Sequence, residues 1–244
     1  MYHEPVDATR ATAILAGAVA VFYTTAGLLP PGLAQLAGAQ LALAATIALA
    51  MRRHPRPAAA LGLVAPPRRA LLGALLLGGT AWYPNARLAV WVQSQLGGAT
   101  RVEGIERLFD GPPLAVTALV LIALPAVCEE LAFRGLWARA LASRLGIAGA
   151  IAISAPVFGL FHLNSAQLLP ASLLGAALAW CTLRARSLWI AIAIHALNNA
   201  CAVAAGRGLL GALADVLDAW PRATLLAASA LAALGAWLIG ARRT

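Results

Sequence analysis

The chain has 244 residues, of which 61% are hydrophobic and 11% charged, and its mean hydropathy is +0.81. A soluble domain of this size carries about a quarter charged residues, so a soluble globular fold is excluded in favour of a polytopic α-helical membrane protein. The formal charge of +9 comes wholly from arginine, lysine being absent. These arginines gather in short loops between apolar runs, which marks them as orientation signals and argues against nucleic-acid binding.

In chain order, a polar start ends at Arg10 and residues 11–29 form a first predicted span. The opening Met1-Tyr2-His3-Glu4 lacks the basic start of a cleavable signal peptide, so the first span is expected to remain in the protein. Pro30-Pro31-Gly32 turns the chain into a second span, 33–51, which a loop carrying Arg52, Arg53, Arg56, Arg68 and Arg69 follows. The third span covers 70–92, with a bend expected at Pro84-Asn85. After a polar stretch with Glu103, Glu106 and Asp110 comes the fourth, 114–133. Residues 135–145, with Arg139 and Arg144 among leucines, suit a helical extension lying along the membrane surface. Spans at 147–163, 168–183, 188–205 and 223–241 complete the set, closed by Arg242-Arg243.

The expectation is therefore an all-α fold of about eight transmembrane helices at ~20 residues each, forming one membrane domain over 1–244. With the N-terminus inside, every strongly basic segment (52–69, 134–144, 184–186 and 242–243) falls on one side. Both termini are accordingly placed in the cytoplasm.

Charge inside the spans is rare, and it concentrates at Cys128-Glu129-Glu130-Leu131-Ala132-Phe133-Arg134. An ionisable group at that depth costs about 2.5–3.5 kcal/mol on insertion scales, so a partner or a task must account for it. Residues four apart share a helix face, which pairs Glu130 with Arg134. Glu129 lies about 100° round the helix and is left available. Two further polar sets sit in later spans: Phe158 with His162, and His195 with Asn199, each at i and i+4, Asn198 being a weaker candidate for the same face. His3 and His54 lie in polar or basic segments and read as solvated.

Each of these has a structural alternative, since a buried histidine or amide commonly serves as a helix–helix hydrogen bond. Taken together, however, a carboxylate, two imidazoles and an amide suffice to cleave an amide bond. A Glu and one His can deprotonate water, and the other His and the Asn can donate to an oxyanion. Cys128, Cys181 and Cys201 lack disulfide-framework or Cys-x-x-Cys spacing. Cys128 has no histidine within helical reach to make it a nucleophile.

Glu-Glu-x-x-x-Arg, Phe-x-x-x-His and His-x-x-x-Asn, in that order and each on its own hydrophobic run, resemble the CPBP family of intramembrane proteases, which includes the Rce1-type CAAX prenyl endoproteases. The resemblance covers the motif core 114–205. It implies an intramembrane endopeptidase in which Glu129, assisted by His162, activates water. His195 and Asn199 would stabilise the oxyanion, and Glu130, Arg134 and Phe158 would support the site. The family's frequent label of metalloprotease offers Glu129, His162 and His195 as three zinc ligands. No His-Glu-x-x-His pair is present, so zinc and a metal-free route both stay open.

The lysine-free, Ala- and Arg-rich composition points to a GC-rich bacterial genome, and so to the bacterial cytoplasmic (inner) membrane with the site facing the cytoplasm. Bacteria mostly lack protein prenylation, so the expected substrate is a peptide or small membrane-associated protein. A proton-coupled transporter and a non-catalytic bacteriocin-immunity or scaffold protein are the alternatives. One expectation sits awkwardly: a fifth helix running straight from Ile147 would place His162 about 22 Å deep, well past Glu129 and His195, unless Pro156 breaks it.

Overall fold

The structure is a computed structural model that describes residues 6–96 and 111–241. His3, Glu103, Glu106, Asp110, Arg242 and Arg243 lie outside the described residues. Helices α1 (Ala8–Leu28) and α2 (Leu33–Met51) form an antiparallel hairpin, followed by the short α3 (Pro57–Ala60) and the long α4 (Arg68–Gln95). A continuous helical stretch then starts at Leu114. It comprises α5 (Leu114–Thr117), a π-helical segment (Ala118–Ala123), α6 (Leu124–Glu130), a second π-helical segment (Leu131–Ala138) and α7 (Arg139–Phe161). The order closes with α8 (Ser165–Ala185), α9 (Leu188–Gly206), α10 (Ala212–Ala219) and α11 (Pro221–Gly240). No strand occurs among the described residues, and the fold is all-α.

Local chemistry sets several of these ends. The Asp7 carboxylate accepts from the backbone N–H groups of Thr9 and Arg10, satisfying donors that the first turn of α1 leaves without a partner. Asn164 does the same for Ala166 at the start of α8. The loop between α2 and α4 is pinned inward: Arg139 Nε donates to the carbonyl of Ala60, Leu188 N–H to that of Gly62, and the Ser187 hydroxyl to that of Val64.

Among the described residues, six helical stretches are long and apolar enough to cross a membrane, and the protein is an integral membrane protein. Leucines and tryptophans that stay outward, such as Leu28, Leu226 and Trp237, are what a surface bathed in hydrocarbon requires. The helix α4, read from sequence as a third span, is not among the six; its 28 residues include Arg68, Arg69 and Arg87. It packs against α8, α9 and α11.

The sequence reading ended the fourth span at Phe133 and laid residues 135–145 along the membrane surface. The structure differs. Residues 132–138 are all buried, and the helix runs on to a single break at Gly146, where φ is 72° and ψ 175°. That conformation is open to glycine alone without strain. Pro156, the expected breaking point, lies inside α7.

The depth mismatch disappears as a result. Glu129 and His162 lie at nearly equal chain distances on either side of Gly146, each about 25 Å from it at 1.5 Å per residue. When the chain reverses at Gly146, the two side chains return to the same level.

Two buried clusters make up the core. One joins the α1–α2 hairpin to residues 128–161 through Leu15, Phe22, Leu43, Cys128, Phe133 and Phe161. The other joins α4, α8, α9 and α11 through Leu77, Leu178, Ile190, Ile194 and Ile239. Glu129 follows a residue of the first cluster and His195 a residue of the second, so the polar side chains lie where the two meet.

Candidate active site

A cavity of about 420 Å³ opens at that seam, and Glu129, His162, His195 and Asn199 all line it. Gln40, Trp82, Asn85, Gln167 and Asn198 join them. The four side chains read from the sequence as one constellation come from three separate helical regions and share one space.

Both glutamates sit on α6, the α-helical piece between the two π-helical segments. Glu130 is fully buried, and its Oε1 accepts two hydrogen bonds, from Arg134 NH1 and from His195 Nδ1–H, each at 2.8 Å. Carboxylate and guanidinium thus neutralise each other in a place where either charge alone would be costly.

Glu129 has a different environment. Its Oε1 accepts from Gln40 Nε2 at 2.6 Å, and its Oε2 is buried with no protein partner. Of the two adjacent acids, the one without an internal cation is the one on the cavity wall.

Phe158 organises the space behind. The Arg134 guanidinium carbon lies 3.9 Å from its ring centroid, a cation–π contact. The His162 and His195 rings meet it edge-on at 5.0 and 6.2 Å. Gly175 on α8 makes room for this stack, since a Cβ there would come within 3.0 Å of both Arg134 NH2 and the Phe158 ring.

The partners of the imidazoles fix their tautomers. His162 Nδ1 lies 2.9 Å from the carbonyl of Phe158, which can only accept, so Nδ1 carries the proton and Nε2 keeps a lone pair. His195 Nδ1 faces an ionised carboxylate and likewise carries a proton. For His195 to donate from Nε2 as well, its ring must be the imidazolium.

Asn199 is held across helices: its Nδ2 donates to the carbonyl of Leu121, in the first π-helical segment, at 3.1 Å. The Asn199 oxygen accepts from Asn198 Nδ2 at 3.2 Å, leaving one Nδ2 hydrogen uncommitted.

Gln40, Trp82, Asn85 and Gln167 were not singled out as site residues from sequence. For Gln40 a signal existed, an amide near the middle of the apolar α2. His54 lies apart and accepts from the Arg56 backbone N–H in its own loop.

The zinc set that the resemblance offers is Glu129, His162 and His195. Among the described residues, no group of three or more His, Cys, Asp and Glu side chains is gathered so as to hold a metal ion. Glu129, His162 and His195 share one cavity.

Residues 111–201 match the family model described as Rce1-like, type II CAAX prenyl endopeptidase. No curated protein matches the chain, and no solved structure does. The matched segment contains every motif residue from Glu129 to Asn199 and begins after α1, α2 and α4. Residues 111–201 are thus similar to the Rce1-like family, in agreement with the resemblance carried by the three motifs.

Proposed function

We propose that the protein is an intramembrane endopeptidase that hydrolyses a peptide bond in a membrane-associated peptide or protein, with Glu129 activating the attacking water. The observation that carries this reading is the convergence of Glu129, His162, His195 and Asn199 on one cavity, which Glu129 lines and Glu130 does not, with Glu129 Oε2 buried and without a protein partner.

Water attacks the scissile carbonyl carbon as Glu129 takes its proton, assisted by the lone pair on His162 Nε2. The carbonyl oxygen becomes an oxyanion facing Nε2–H of a doubly protonated His195 and the spare Nδ2 hydrogen of Asn199. Collapse breaks the C–N bond, the transferred proton passes to the departing nitrogen, and an amine and a carboxylic acid leave. Glu130 holds His195 by Nδ1, Arg134 pairs with Glu130, and Phe158 supports the stack. This route uses only the chain's own residues.

The setting that best suits this chemistry is a bacterial inner membrane, with the cavity facing the cytoplasm and both termini on that side. Arginine bias between loops supports it.

The test compares membrane peptides from cells carrying wild type or Glu129→Gln and assays both purified proteins on the peptides that differ. Glu129→Gln should insert and purify normally and lose cleavage. Unchanged cleavage would remove the assignment, as would proton-coupled flux in liposomes with no hydrolysis. Elemental analysis of the same active preparation should find zinc well below stoichiometric, and activity that needs one zinc per chain would overturn the metal-free route.

A further inference from the structure

The site is not complete within the segment that matches the family model. Glu129 is touched from outside it by Gln40, on the second helix of the N-terminal hairpin. A glutamate's terminal torsion is broad and roughly two-fold, so a carboxylate on a cavity wall keeps one orientation only if something holds an oxygen. Here the amide does so from a buried position, with Gln40 itself 5% exposed. An ionised carboxylate only accepts, which assigns Nε2 as the atom facing it and turns Gln40 Oε1 away, where it is buried with no protein partner.

The helix that carries Gln40 is itself fixed. Its neighbours Ala39 and Leu43 belong to the same packed cluster as Cys128, Ala132 and Leu136 from the glutamate-bearing stretch. Nearby, the Tyr23 hydroxyl of α1 donates to the carbonyl of Phe161, the residue before His162. The hairpin therefore braces the chain at Glu129 and beside His162.

We propose that Gln40 is the positioning residue of the water-activating acid: its Nε2 holds Glu129 Oε1 and so presents Oε2 to the water and the scissile carbonyl. This inference rests on Glu129 being the base. The amide acts through the carboxylate, so its loss should slow the chemical step and leave substrate binding in place.

The experiment measures kcat and KM in proteoliposomes for Gln40→Met, Gln40→Asn and Leu43→Ala, using a peptide that wild type cleaves. Gln40→Met keeps the volume and removes the donor; kcat should fall roughly 10- to 100-fold with KM unchanged. Gln40→Asn withdraws the amide by one methylene and should give an intermediate kcat. Leu43→Ala, one turn on and buried in the core, should lower the unfolding temperature while each folded molecule keeps its kcat. Wild-type kcat in Gln40→Met overturns the proposal, and so does a loss confined to KM, which would make Gln40 a substrate contact. If Gln40→Met fails to insert, wild-type kcat in Gln40→Asn overturns it equally. Activity surviving in Glu129→Gln would instead defeat the underlying assignment of the base, so the two failures are distinguishable.

Discussion

Glu129 and Glu130 are chemically identical neighbours with opposite circumstances. Glu130 is enclosed by Arg134 and His195, so its removal leaves a buried guanidinium uncompensated. Breaking a buried pair from one side typically costs about 3–5 kcal/mol. Glu130→Gln should accordingly lower thermal stability in detergent by several degrees or prevent purification. Glu129→Gln should hardly change stability, because the new amide can turn to pair with Gln40. A thermal-shift comparison of the two variants checks this, and equal losses would contradict the division of labour between them. The pairing of Glu130 with Arg134 was legible from i,i+4 spacing alone. The link from Glu130 to His195, 65 residues away, was not, because nothing local in sequence ties the two.

Among the elements, the stretch Leu114–Phe161 does most to set the site. Its two π-helical segments flank the turns that bear both glutamates, and its break at Gly146 folds His162 back to their level. Gly146→Ala adds a Cβ in a backbone conformation that side chains avoid, with open space around it, so the cost is conformational and not steric. That strain is of the order of 1–3 kcal/mol. The unfolding temperature should fall, and activity should fall with it because the return arm carrying His162 shifts; an unfolding curve and a cleavage rate on the same preparation test it. From sequence, Pro156 was the natural candidate for the break, since an interior proline loses one helical hydrogen bond. A single glycine in an Ala- and Leu-rich run gives a weaker signal. The neighbours of α7 accommodate the proline, while the reversal needs a positive φ that only glycine supplies cheaply.

At the scale of the molecule, two packed clusters each offer part of the chemistry, and the cavity exists because they meet. Eight crossings follow if α4 crosses as well and Leu114–Phe161 counts as two passes broken at Gly146. An even number places both termini on one side. Reporter fusions at the two ends should both read cytoplasmic, and a split result would revise the count and the side to which the cavity opens. Composition and hydropathy decided the membrane-embedded all-α class, because about twenty apolar residues at a time cannot be hidden in a soluble domain of this size. Helical periodicity and motif order decided which polar side chains mattered, because a charge or an imidazole in hydrocarbon stands out against its surroundings. Tertiary structure alone decided that these groups face one another, that Gln40 bonds to Glu129, and that Asn199 bonds to the carbonyl of Leu121. Those facts depend on how distant helices stack, and long-range packing leaves no periodic trace in a single sequence.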